Sequence, residues 1–175
     1  MLTKIDLCSQ ALLKIGENAI VGFDDDSPAA RIAKAAYDAA IDNLLAGFNW
    51  HFATKKFRIA KSADGDFQIP TTVLRVLECK PSAYEITGGV IRAEGDEIEI
   101  SAIARVGPDS FPPYFAQAAA TRLAMEFCIP LTGNQNTFAL LNALCENELR
   151  AARFIDSTTA RPRAIENFSL LSSRF

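Results

Sequence analysis

Histidine is nearly absent from this chain of 175 residues: His51 is the only one, and it stands beside the only tryptophan, Trp50. A single imidazole leaves little material for a Ser-His or Cys-His nucleophile, and no glycine sits in a Gly-x-Ser-x-Gly elbow. The four cysteines, Cys8, Cys79, Cys128 and Cys145, form no Cys-x-x-Cys pair. A tetrahedral zinc site would have to gather nearly every soft ligand in the chain from distant positions, so no metal is expected. Buried thiols in a reducing compartment are the expectation instead. The phosphate-cradling patterns Gly-x-Gly-x-x-Gly and Gly-x-x-x-x-Gly-Lys-Ser/Thr are missing, so no nucleotide cofactor is expected. No apolar run reaches the roughly 18 residues of a membrane span, and the opening MLTKIDLCSQ places charge too early for a secretory leader. A net charge of -3 gives no whole-molecule field that would steer nucleic acid.

What the chain does have is apolar periodicity. Hydrophobic residues make up 49% of it, enough for one compact domain with its own core. Thr3 is placed to cap a helix that runs to about Ile15, with Ile5, Cys8, Ala11, Leu12 and Ile15 on one face and Gly16 as the stop. Ser27-Pro28 opens a second helix over 28–46, an N-cap followed by a favoured first-turn proline. Gly47 ends it, and Phe48, Trp50 and Phe52 follow at spacing two, which predicts an extended segment with the three rings on one side and His51 on the other. Phe57 and Ile59 continue a strand-like pattern, 61–71 reads as a turn region, and strands are predicted over 72–79, 84–87, 90–93 and 97–104, divided by glycine-bearing turns. Helical spacing returns at Pro112-Pro113 and is predicted to close at Ile129-Pro130; a last helix is predicted over 137–155. The expected fold is mainly α: an antiparallel four-helix bundle with a small antiparallel β insert at about 53–107, between helices two and three. Residues 1–156 form the domain and 157–175 an extended C-terminal tail.

Three stretches invite a chemical reading. Asp24-Asp25-Asp26 lacks the spaced ligands and the turn glycine of a calcium loop, and sits where acid suits the start of the second helix. Lys55, Lys56, Arg58 and Lys61 are interleaved with aromatics, the basis of an alternative reading as a DNA-binding or packaging accessory protein, against which Asp64 and Asp66 weigh. The two ends differ in charge: acids outnumber bases over residues 1–26, and Arg150, Arg153, Arg161, Arg163 and Arg174 outnumber acids over 150–175. That asymmetry suits head-to-tail contact between copies. A non-enzymatic domain that works by protein contact is the expectation.

In this order of elements, five stretches carry a likeness. They are ALLKIGENAIVGFDDD at Ala11–Asp26, the alanine-rich second helix with Arg31, GFNWHF at Gly47–Phe52, the pair VLRVLEC and YEITGGVIRA, and FPPYFAQAAATRLAMEFCIPLTG at Phe111–Gly133 with the alanine- and glutamate-containing helix after it. Together they resemble the tail tubular protein A family of phage head–tail connector (adaptor) proteins, over most of residues 5–156. The β insert is briefer than in the longer members, and the tail lacks their glycine- and tyrosine-rich stretch. The resemblance implies a virion protein of the neck, assembled in the host cytoplasm. It implies a homo-oligomeric ring of twelve copies beneath the portal protein, through which DNA passes without sequence-specific binding. A tail or nozzle protein would follow below, and no membrane or cofactor is involved. It places the C-terminal segment against the portal, with Arg161, Arg163, Phe168, Leu171 and Phe175 as the expected anchors; Gly47, Phe48, Trp50 and Phe52 are the expected structural joint.

Overall fold

The computed structural model describes residues 1–159, which form a mixed α+β domain of four helices, with two three-stranded antiparallel sheets between the second and third helix. Helix α1 (Lys4–Lys14) starts at Thr3, where a complete capping box joins Thr3 and Asp6, and ends at Gly16, whose positive φ lets the chain turn away. Helix α2 (Pro28–Ala46) matches its predicted span; the Ser27 hydroxyl accepts from the Ala30 N–H.

Helix α3 (Pro113–Thr132) runs past its predicted end. Pro130 sits inside it, one turn before the stop, and Gly133 in the left-handed region supplies the actual C-cap. The hydroxyl of Thr132 donates to the Cys128 carbonyl at 2.7 Å, so this last turn keeps local bonds despite the N–H that proline lacks. Helix α4 (Gln135–Thr159) is longer than predicted at both ends. Asn134 opens it by accepting from Thr137 through its side chain, and Asp156 holds the far end in place.

Helix α3 lies at the centre and packs against α1, α2 and α4 in turn; α1 and α2 touch little. Its alanines Ala118, Ala119, Ala120 and Ala124 are buried, which permits close approach on more than one side. Glu148 of α4 accepts from Gln117 of α3 at 2.9 Å, with Lys14 of α1 at 4.0 Å, so three helices meet at one polar point.

Between α2 and α3 run β1 (Thr54–Ala60), β2 (Phe67–Gln68), β3 (Val73–Lys80), β4 (Tyr84–Thr87), β5 (Val90–Ala93) and β6 (Glu97–Ala104). Their orders are β1-β6-β3 and β2-β5-β4. The short β2 lies in the stretch predicted as a turn; its ladder holds only two pairs, Phe67 with Ile91 and Gln68 with Val90, too short to leave a periodic signal. The sheets close a small core of Phe67, Cys79, Ile91, Ile98, Ile100 and Ala102, while Ile103 joins the larger helical core. Strand β6 thus borders both cores.

Candidate functional site

The joint after α2 is built on rings. Trp50 is fully buried and donates its indole N–H to the Leu44 carbonyl at 2.9 Å, tying the joint back to the helix it leaves. Phe48, Phe52 and Phe115 surround it edge-on or tilted, with centroids 4.9, 5.9 and 5.0 Å away, and Phe111 completes the cluster against Phe52 and Phe115. Gly47 caps α2 in right-handed conformation, so its value is space: a Cβ there would stand 3.1 Å from the Asn43 carbonyl oxygen. Ring contacts join Phe48 to Trp50 and Trp50 to Phe52. The extended conformation does not hold, because His51–Ala53 form a 3-10 turn and strand pairing begins only at Thr54. The turn is favoured because the Ala53 N–H closes it onto the Trp50 carbonyl and the Thr54 hydroxyl adds a second bond to the same oxygen.

His51 has a partner that its place in the sequence conceals. Its ring is half-exposed, yet both its backbone N–H and its Nδ1 reach Oδ2 of Asp156, at 2.9 and 2.8 Å. The Tyr114 hydroxyl donates to the other carboxylate oxygen at 2.8 Å. Asp156 is fully buried, and its carboxylate only accepts, so the imidazole presents Nδ1–H to it. Burial and the adjacent carboxylate push the Tyr114 phenol up to about 12, keeping it a donor at neutral pH. One carboxylate from the last turns of α4 thereby fixes the turn after α2 and the first turn of α3. All three donors are spent on Asp156, which is the work of a clamp. Asp156 was missed from the sequence, although it continues the spacing Leu141, Cys145, Leu149, Ala152 by one further step; a lone acid on an apolar stripe was the available signal.

Asp24 pairs with Lys34 at 2.9 Å, and Asp25 accepts from the N–H groups of Val21 and Gly22, so two of the three aspartates organise the loop. Asp25 and Asp26 border a cleft of about 570 Å³ with Glu17, Pro28 and Leu131 at the opposite end of the helices from Asp156. Lys56 and Arg58 both lie near Glu99 on the neighbouring strand, at 3.6 and 4.0 Å, and Lys61 lies over the Phe67 ring. The cysteines Cys8, Cys79, Cys128 and Cys145 are free and buried, as the sequence implied. Among the described residues no group of three or more His, Cys, Asp or Glu could hold a metal ion, and no helix is long and apolar enough to cross a membrane. The predicted anchors Arg161, Arg163, Phe168, Leu171 and Phe175 lie outside the described residues.

No protein-family model matches the chain, and no curated protein is significantly similar to it.

Proposed function

We propose that the protein is a non-enzymatic structural component of a phage neck, a head–tail connector that forms a ring beneath the portal. The observation that carries this reading is the order of elements: two helices, a β module and two helices, bearing in sequence the five stretches that resemble the connector family. In this reading the four helices act as an antiparallel bundle that makes the wall of a twelve-membered ring, and the channel extends that of the portal. The β module lies towards the tail or nozzle protein. The C-terminal segment reaches the portal, its apolar side chains supplying buried area and Arg161 and Arg163 forked bonds to carboxylates. A closed ring needs two different complementary faces on each copy, and the opposed charge of the two chain ends supplies one contrast. The aromatic joint and the Asp156 clamp suit the same role, since they fix where the β module and the C-terminal segment leave the helices.

The test is cryo-electron microscopy of the protein mixed with the portal protein of the same particle. The expected result is a ring of copies against the narrow end of the portal. Co-sedimentation then asks about the segment: removal of residues 160–175 should abolish portal binding and leave the helical signal intact. Portal binding unchanged by that removal would refute the docking role.

A further inference from the structure

The small sheet β2-β5-β4 ends in an open edge. In the hairpin of β4 and β5 the two turn residues, Gly88 and Gly89, both have positive φ, which makes a type I′ turn. Such a turn is flanked by a hydrogen-bonded pair, here Thr87 with Val90, and antiparallel alternation repeats the bond at Glu85 with Arg92. The backbone N–H and C=O groups of Tyr84 and Ile86 therefore point away from β5. Strand β4 is last in its sheet, and all four of its residues are exposed. The side chains show the same lack of cover. Ile86 stands opposite Ile91 and Tyr84 opposite Ala93, so both lie on the face that lines the small core. In that row Phe67 and Ile91 are fully buried, whereas Ile86 is 45% and Tyr84 39% exposed. The other face carries alternating charge. Arg92 reaches Asp66 at 3.4 Å and stands opposite Glu85 in the ladder. Among the described residues Glu85 accepts from the Thr87 hydroxyl at 3.3 Å and forms no ion pair.

We propose that β4 is a docking edge for an extended segment of another protein, which adds a further antiparallel strand and carries an apolar–basic–apolar triplet. Apolar side chains opposite Tyr84 and Ile86 continue the row begun by Phe67 and Ile91. A Lys or Arg opposite Glu85 continues the alternation of Asp66, Arg92 and Glu85. The antiparallel sense matches every strand pair in both sheets. A second copy of β4 fits poorly. Pairing Tyr84 with Ile86 of the copy sets Glu85 directly against its equivalent, and like charges so placed destabilise. Pairing Ile86 with its equivalent leaves Tyr84 opposite Gly88, which has no side chain to cover it. Glu85 thus guards the edge against self-pairing while it selects a basic partner. The inference stands without the connector reading.

The test is nuclear magnetic resonance titration of the isotopically labelled full chain with the capped peptide Ser-Val-Lys-Val-Ser. Expected are amide shifts centred on Tyr84–Thr87 and about tenfold slower hydrogen exchange at the Ile86 N–H. The same peptide with Glu in place of Lys should bind about fivefold more weakly, and Glu85→Lys, a change at an exposed position, should reverse that preference. N-methylation of both valines should abolish binding, because it removes the donors that reach the edge. Absence of shifts along β4 at millimolar peptide would overturn the proposal. Equal binding of the Lys and Glu peptides, or undiminished binding of the N-methylated one, would overturn it as well. Shifts along β4 that grow with protein concentration before any peptide is added would give the edge to a second copy and likewise overturn it.

Discussion

At the scale of single residues, Trp50 and His51 stand side by side and do different work. Trp50 fills the space between α2 and α3, and its truncation removes ring contacts with Phe48, Phe52 and Phe115 together with the bond to Leu44. Trp50→Ala should cost about 3–5 kcal/mol in urea unfolding. Read as a side chain opposite the aromatics, His51 is dispensable, and the Asp156 contact corrects that. His51→Ala removes the Nδ1 bond but keeps the backbone N–H bond, so its expected cost is about 1 kcal/mol. Asp156→Ala strands the His51 N–H and the Tyr114 hydroxyl together, and should cost about 3 kcal/mol. The order of the two losses is the discriminating result. A His51→Ala loss equal to that of Asp156→Ala would mean that the imidazole, rather than the carboxylate, organises the clamp.

At the scale of elements, three of the four helix starts were legible in the sequence because caps are local: Thr3, Ser27 and Pro112-Pro113 each lie within one turn of the helix they open, whereas the Asn134 cap of α4 was not read. Helix ends were less legible. Pro130 reads as a stop, yet the helix continues to Thr132 because Gly133 adopts φ 63° and ends it one turn later. A Cβ at Gly133 would meet no heavy atom within 4 Å, so replacement there tests backbone strain alone. Gly133→Ala should destabilise by about 1–2 kcal/mol, and Gly133→Asn by less, because asparagine tolerates the left-handed region. Equal melting temperatures for the three proteins would show that Gly133 is not the stop. The strands β3 to β6 were legible from glycine-bearing turns, but their division into two sheets was not, since pairing joins residues far apart, such as Thr54 with Ile103. The Asp156 clamp was hidden for the same reason, since His51 and Asp156 stand 105 positions apart. The sheets differ in how they are held. Every residue of β4 is exposed, whereas β6 is paired on both sides and borders both cores. Amide hydrogen exchange should therefore be fast along β4 and among the slowest along β6. Matching protection of the two strands would show that the β module opens only as a unit.

At the scale of the whole molecule, both cores bury groups that must stay protonated. Cys8 lies in the helical core, where burial pushes its thiol up to about 12, and burial also raises Cys145 there and Cys79 between the sheets. Tyr37 is raised by burial as well, and Tyr114 reaches about 12. Each of these acids is neutral when protonated, and each holds its proton more tightly in the folded chain than in the unfolded one. Below about pH 9, the ordinary thiol range, both states keep the proton and the groups add no pH dependence. Above it the unfolded chain releases protons first, so stability falls as pH climbs from about 9 towards 12. The urea midpoint should therefore decline steadily across that window. Cys8→Ala should flatten the lower part of the decline and Tyr114→Phe the upper part, whatever each costs at neutral pH. Because the thiols are spread over both cores, their reaction with an aromatic disulfide at pH 8 should follow unfolding, with Cys79 free to react earlier if the sheets part before the helices do. A urea midpoint that stays level from pH 9 to pH 12 would mean that these groups ionise in place and that the cores admit water without coming apart.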